Sequence, residues 1–63
     1  MPNITISGPK IEDLDKKRKL VKTVTDAAVE AYGIAGEHIV VIIEAHPPED
    51  VAVGGRLIVD RQS

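Results

Sequence analysis

Apolar and polar residues alternate in the first positions of the chain, a pattern typical of a short, half-buried β-strand. Ile4 and Ile6 alternate with two small hydroxyl residues over residues 3–7. Gly8 and Pro9 then interrupt the alternation, and this pair favours a turn. We therefore expect a first strand over residues 3–7.

Apolar residues recur at helical spacing in the next segment and predict one long amphipathic helix. The members of this stripe are Leu14, Leu20, Val21, Val24, Ala27, Ala28 and Ala31. Asp13 is a suitable N-terminal cap, and Asp15 places a carboxylate in the first turn, where the helix dipole favours it. Gly33 follows the last periodic residues, where a left-handed C-terminal cap is expected.

Residues 38–45 form an apolar run without alternation. Five consecutive β-branched residues, Ile39 to Ile43, predict a strand that is covered on both faces, as parallel strands usually are. The order strand, helix, strand therefore predicts a right-handed βαβ unit whose two strands are parallel.

The remaining segment predicts a turn followed by a β-hairpin. Residues 46–50, HPPED, are expected to form a loop or a single helical turn. In the segment VAVGGRLIV, Gly54 and Gly55 can adopt the positive φ angles that a two-residue hairpin turn requires. The expected fold class is α+β: a βαβ unit with a C-terminal hairpin, in one domain over residues 1–63.

The size of the chain predicts that it functions as an oligomer. A domain of 63 residues buries only about 60% of its unfolded surface, and its core supplies roughly 3–5 kcal/mol. The sequence contains no cysteine for disulfides, yet 43% of its residues are hydrophobic. We therefore expect subunits that bury one another's faces. Two copies would form a four-stranded sheet with two helices on one face.

Composition argues against several classes of partner. The net charge is −2 and Tyr32 is the only aromatic residue, so a nucleic-acid surface is not expected. His38 and His46 are isolated and do not indicate a metal site. No apolar run approaches the roughly 20 residues of a membrane span, and the N-terminus does not resemble a secretory signal. A cytoplasmic chain is expected.

Pro2 directly follows the initiator and allows two interpretations. It can open an edge strand, which is a permitted position for proline. Alternatively, Met1 is removed and Pro2 becomes the first residue, with a secondary amine that can carry a proton. Removal is expected because the aminopeptidase accepts only small residues, including proline, in the second position. If Met1 stays, the Pro2 nitrogen is a tertiary amide without basicity.

The chain resembles the 4-oxalocrotonate tautomerase family of small-subunit tautomerases over essentially its whole length without gaps. The resemblance rests on Pro2, on the helix that begins near Asp13, and on the segments IVVIIEA and VAVGG. It implies the tautomerase fold. It also implies a hexamer, built as a trimer of βαβ dimers, with one site per subunit across an interface.

The resemblance further implies a role for Pro2 that needs no cofactor. In that family the proline nitrogen is the general base that moves a proton within an enol or 2-keto acid. An apolar pocket would disfavour the ammonium form and lower the pKa of this amine toward neutrality. Ile4, Val51 and Val53 are candidates for such a lining.

Three positions depart from the family's pattern. Glu12 stands where the family has an arginine before the helix, Val40 replaces an arginine of the long strand, and Val51 replaces an aromatic residue. A dianionic muconate-type substrate would lose on the order of 1.5–3 kcal/mol per charged hydrogen bond. Lys10 and Arg56 are the candidate replacements for binding the substrate.

Two functional interpretations follow from these residues. The first is an isomerase that uses Pro2, with weak activity that is better on a monoacid than on a diacid. The second is a catalytically silent oligomer of the same fold that binds a small acid or a partner protein. The retained Pro2 favours the first, and the absent arginines favour the second. His46 could relay protons, but a lone loop histidine is usually exposed, so it is not included in the predicted site.

Overall fold

The computed structural model describes residues 2–61, which form one long helix, two pairs of strands and three 3-10 turns. The strands are β1 (Asn3–Gly8), β2 (Val40–Ala45), β3 (Ala52–Val53) and β4 (Arg56–Leu57), and the helix α1 spans Leu14–Tyr32. The 3-10 turns are Gly36–His38, Pro48–Asp50 and Ile58–Arg61. This order confirms the α+β class and the βαβ unit.

The two longer strands form a parallel pair. Ile4 lies opposite Val41 and Ile6 lies opposite Ile43. Backbone hydrogen bonds extend the ladder beyond both ends of β1: the Val40 amide donates to the Pro2 carbonyl at 3.1 Å, and the His46 amide donates to the Gly8 carbonyl at 2.8 Å. Both ends of β1 are therefore held against β2.

Both caps predicted for the helix are present. The Asp13 carboxylate accepts hydrogen bonds from the backbone amides of Asp15 (2.9 Å) and Lys16 (3.4 Å). Gly33 adopts φ 67°, and its amide donates to the Val29 carbonyl at 2.9 Å. None of the helices within residues 2–61 has the length and apolar character required to cross a membrane.

Removal of the N-terminal cap gives a test of this local structure. We expect Asp13→Ala to lower the free energy of unfolding by about 1 kcal/mol, because two amides of the first turn lose their acceptor. Asp13→Asn keeps a capping oxygen and should cost less. Urea denaturation of the three proteins at equal subunit concentration measures the difference. Equal losses for both variants would contradict a capping role.

One face of the β1–β2 sheet is half-buried and the other is open. Ile4, Ile6, Val41 and Ile43 share the half-buried face, whereas Val40 and Ile42 on the other face are 39% and 46% exposed. The prediction that β2 is covered on both faces is therefore not met within one chain. The apolar side chains of the open face thus stay partly exposed in a single chain.

The chain as a whole has little closed core. Ala28 is the only buried residue within residues 2–61. The accessible surface is 5024 Å², whereas a folded monomer of this mass is expected to expose about 4,000 Å². The radius of gyration is 15.0 Å, against about 11 Å for a compact chain of this length. A single copy is thus flat and extended.

The C-terminal hairpin forms around the predicted glycine pair. Gly54 and Gly55 have φ angles of 61° and 82°, and Val53 pairs with Arg56. The strand does not continue into the residues after Leu57 as the pattern VAVGGRLIV indicated. The Ile58 amide donates to the Val51 carbonyl at 2.8 Å and so extends the hairpin ladder by one pair, after which the chain continues as the 3-10 turn at residues 58–61.

The predicted second strand also began too early. His38 belongs to the 3-10 turn at Gly36–His38, and β2 starts at Val40. The Ile39 amide donates to the Gly36 carbonyl at 3.0 Å, which closes the turn before pairing with β1 begins.

Candidate functional site

Pro2 lies at the start of β1, where the parallel pair begins. Its carbonyl accepts the hydrogen bond from Val40, so its backbone is held at the edge of the sheet, and the residue is half-buried. Val40 is partly exposed beside it and presents an apolar side chain where the family pattern has an arginine. Met1 lies outside the described residues, so its removal stays a prediction.

A cavity of about 360 Å³ lies at the opposite end of the strands, where β1 and β2 terminate. Its volume falls within the range of small-molecule sites. Most of its lining is apolar. The lining residues are Ser7, Gly8, Pro9, His46, Pro48, Val51 and Ile58.

Pro2 and this cavity cannot act on one small molecule within a single chain. Pro2 lies five and six residue steps from Ser7 and Gly8, the lining residues on β1, and at about 3.3 Å per step this distance is roughly 20 Å. A general base must approach the transferred proton to about 3 Å. Pro2 and the cavity can therefore meet only if the Pro2 of one copy approaches the cavity of another.

The structure brings only one of the predicted substrate-binding residues into the cavity lining. Val51 lines the cavity, whereas Lys10 and Val53 are exposed and do not line it. Arg56 is also outside the lining, and its Nη2 donates to the Asp60 carbonyl at 2.8 Å. This bond connects the hairpin to the last 3-10 turn, so Arg56 has a structural role in the isolated chain.

His46 lines the cavity, although the sequence analysis considered it and did not include it in the predicted site. It directly follows β2, and its backbone amide is bonded to Gly8. Its Nε2 lies 3.7 Å from the Glu44 Oε1, and its side chain is 42% exposed. Its position directly after β2 could have indicated a place in the site, because ligands of open sheets bind beyond the carboxyl ends of parallel strands.

The acidic and imidazole groups in residues 2–61 do not form a metal-binding cluster. Glu12 is exposed in the segment between β1 and α1, where the family pattern has a cation. The cavity lining therefore offers two polar side chains, the Ser7 hydroxyl and the His46 imidazole, in otherwise apolar surroundings.

Comparisons with known proteins give one consistent result. The family model described as tautomerase enzyme matches residues 2–61. The 2-hydroxymuconate tautomerase of Bacillus subtilis (strain 168) is 36% identical over 62 residues, which covers 98% of this chain and 100% of that protein. Among solved structures, DmpI from Archaeoglobus fulgidus has a TM-score of 0.84 and 42% identity, covering 94% of this chain and 100% of that one.

A more distant structure shares the fold. The heterohexamer 4-oxalocrotonate tautomerase from Chloroflexus aurantiacus J-10-fl has a TM-score of 0.83 at 23% identity, covering 95% of this chain and 97% of that one. At this identity the likeness concerns the fold alone.

Proposed function

Because the chain belongs to the tautomerase family, we propose that it is a keto–enol tautomerase that acts on an enol or 2-keto acid. Pro2, freed by removal of Met1, is the general base. The observation that carries this proposal is the position of Pro2: second in the chain, half-buried, and held by Val40 at the edge of the sheet.

The proposed reaction moves one proton and needs no other reagent. The neutral Pro2 nitrogen takes the proton from the enol hydroxyl and leaves an enolate. As an oxygen electron pair forms the carbonyl, the electrons of the carbon–carbon double bond take the proton from the Pro2 ammonium at carbon. The product is the 2-keto acid, and the amine returns to its neutral form. A positioned base contributes typically 10²–10⁴-fold to such a transfer.

Proline is suited to this role at this position. Its ring fixes the rotation about the N–Cα bond, and the bond from Val40 to its carbonyl holds the other side of the residue. The direction of the nitrogen lone pair is therefore restricted before the substrate binds. The residue is half-buried, and removal of an amine from water disfavours its ammonium form.

The proposal includes assembly of identical copies, with a hexamer built from βαβ dimers as the expected form. The excess surface of the single chain and the exposed Val40 and Ile42 support it. The roughly 20 Å between Pro2 and the cavity also supports it, because only a second copy can join them. The Chloroflexus aurantiacus J-10-fl protein of the same fold is described as a heterohexamer.

The catalytically silent alternative is favoured by one specific observation. Both cationic positions of the family pattern are changed, to Glu12 and Val40. Intact-mass measurement of untagged protein is the first test that distinguishes the isomerase from the silent oligomer. Retained methionine would block the Pro2 nitrogen and leave only the binding role. An enol-to-keto assay with phenylenolpyruvate and 2-hydroxymuconate gives the second, since the silent form would show no Pro2-dependent rate.

Restoring a cation gives a test of substrate charge. We expect Glu12→Arg to raise kcat/KM for the diacid 2-hydroxymuconate by about 10- to 100-fold, because one charged hydrogen bond contributes about 1.5–3 kcal/mol. The gain for the monoacid phenylenolpyruvate should be smaller. The ratio of kcat/KM for the diacid to kcat/KM for the monoacid should therefore rise.

Glu37→Arg is the matched control, because Glu37 is an exposed acid in another turn and the charge change is the same. An equal gain from both variants would indicate general electrostatic attraction. A ratio unchanged by Glu12→Arg would show that position 12 does not face the substrate.

A further inference from the structure

We propose that His46 is a positioning residue for the acid group of the substrate, and that the cavity beside it holds the apolar body of a monoacid. The proposal rests on the proposed function, because it concerns the same substrate. His46 is not one of the family positions discussed for the arginines and the aromatic residue. With this role, the site would select among enol and 2-keto acids by their charge and shape.

The composition of the cavity lining supports this role. The lining contains four aliphatic or ring side chains, so an apolar group is well accommodated there; they are Pro9, Pro48, Val51 and Ile58. His46 is the only lining residue whose side chain can carry a positive charge. An acid group that enters this cavity therefore has one side chain with which it can form an ion pair.

The backbone of His46 is held in place without any ligand. Its amide donates to the Gly8 carbonyl at 2.8 Å, which extends the β1–β2 ladder past Ala45. Residues on rigid elements position a bound group more accurately than residues on free loops. The imidazole thus projects from the end of a sheet that also holds Pro2 at its other end.

The lining offers one side chain that can carry a positive charge, and therefore suits a single negative charge. Glu44 lies outside the lining, with its carboxylate oxygen 3.7 Å from the His46 Nε2. One anionic group can bind the imidazole, whereas a second carboxylate would find no further cation in the lining and an acid close to it. The expected substrate is a 2-keto or enol monoacid with an apolar body, rather than a dicarboxylate.

The test compares two histidines in similar local settings. His46→Ala should raise KM for phenylenolpyruvate about tenfold or more, with kcat changed by less than about threefold. His46→Gln, which keeps a hydrogen-bond donor, should recover part of this loss. His38→Ala is the matched control, because His38 is exposed and also has a glutamate, Glu37, 3.9 Å from its Nε2. It should leave KM unchanged.

A binding measurement separates this proposal from the proposed function. In Pro2→Ala protein, titration with phenylpyruvate should shift the backbone amide NMR signals of His46, Val51 and Ile58. Adding His46→Ala to that protein should weaken the binding about tenfold or more. Light scattering should show the same assembly for all variants. His46→Gln serves for the comparison if the alanine variant does not assemble.

Two results would overturn the role of His46. One is an unchanged KM in both His46 variants while the rate still depends on Pro2. The other is that phenylpyruvate shifts only the amide NMR signals of residues outside the cavity, as expected if side chains of a neighbouring copy fill it. By contrast, a rate that does not depend on Pro2, together with binding that depends on His46, would reject the general base and support His46 as the acid-binding residue.

Discussion

Replacing Pro2 with alanine is expected to lower kcat/KM for phenylenolpyruvate by about 10²-fold or more. Alanine is also small enough to permit removal of Met1, so the variant still ends in an amine. It loses the ring that fixes rotation about the N–Cα bond and so directs the nitrogen lone pair. The effect therefore measures how much the placement of the base contributes to the rate, within the range of 10²–10⁴ that positioned proton transfer supplies.

An extension before Pro2 tests the basicity of the nitrogen separately from its placement. Two additional residues that are not cleaved leave Pro2 in the chain but convert its nitrogen into a tertiary amide. We expect this protein to lose the full 10²–10⁴-fold. In the parent protein, kcat/KM should fall as the pH drops below the pKa of the Pro2 amine, because only the neutral form accepts a proton.

Pro47→Ala is the control for both changes. Pro47 precedes the 3-10 turn Pro48–Asp50 and does not line the cavity, so its loss should leave the rate within about twofold. Circular dichroism and light scattering must show the parent fold and assembly in every variant. Similar rates for the parent and the extended protein would exclude Pro2 as the base and would favour the silent, binding interpretation.

Replacing Ile42 with glutamate is expected to break the assembly. Ile42 is 46% exposed on the open face of the sheet, next to Thr5 on the paired strand. A carboxylate buried there between copies without a cation would cost several kcal/mol. A chain in which Ala28 is the only buried residue among residues 2–61 has little stability to offset that cost. We therefore expect dissociation accompanied by unfolding.

Sedimentation velocity and circular dichroism at matched subunit concentration measure this effect. Thr23→Glu is the control, because Thr23 is exposed on α1 and the substitution adds the same charge. It should retain both the assembly and the helix signal. A folded Ile42→Glu protein with the parent's mass would show that the open sheet face is not an interface between copies.

The Pro2 and Ile42 variants together distinguish loss of the catalytic base from loss of the assembly. If Ile42→Glu dissociates the particle into subunits that keep the parent's circular dichroism but lose the rate, the site requires more than one copy. Loss of the rate in a folded subunit is expected from the roughly 20 Å between Pro2 and the cavity in one chain. A single subunit that is folded and fully active would contradict a site shared between copies. The substrate would then bind at Pro2 without the cavity of another copy.

Local rules explain why the helix and the hairpin were predictable from sequence. Asp13 caps α1 because its side chain reaches amides two and three residues ahead, and Gly33 ends it because glycine adopts positive φ at little cost. Gly54 and Gly55 form the hairpin turn for the same conformational reason. Each of these interactions depends only on neighbouring residues.

The predicted strands were too long at two ends, because 3-10 turns stand there. His38 lies in the turn that the bond from Ile39 to the Gly36 carbonyl closes, and residues 58–61 form a 3-10 helix after Ile58 has extended the hairpin ladder to Val51. His46 was left out of the site for a different reason. Its place beside Val51 depends on how β2 and the segment after the hairpin meet in space.

The sequence by itself determined the βαβ unit, the position of its helix caps and the glycine turn, because spacing and local conformational preference govern all of these. Pro2 became the candidate base through its place after the initiator and the resemblance to the tautomerase family. Only the tertiary structure decided that the cavity lies about 20 Å from Pro2 and includes His46. It also showed that Val40 and Ile42 remain open in one chain. These properties depend on which distant residues share a face or an edge of the sheet, and periodicity along the chain does not specify that arrangement.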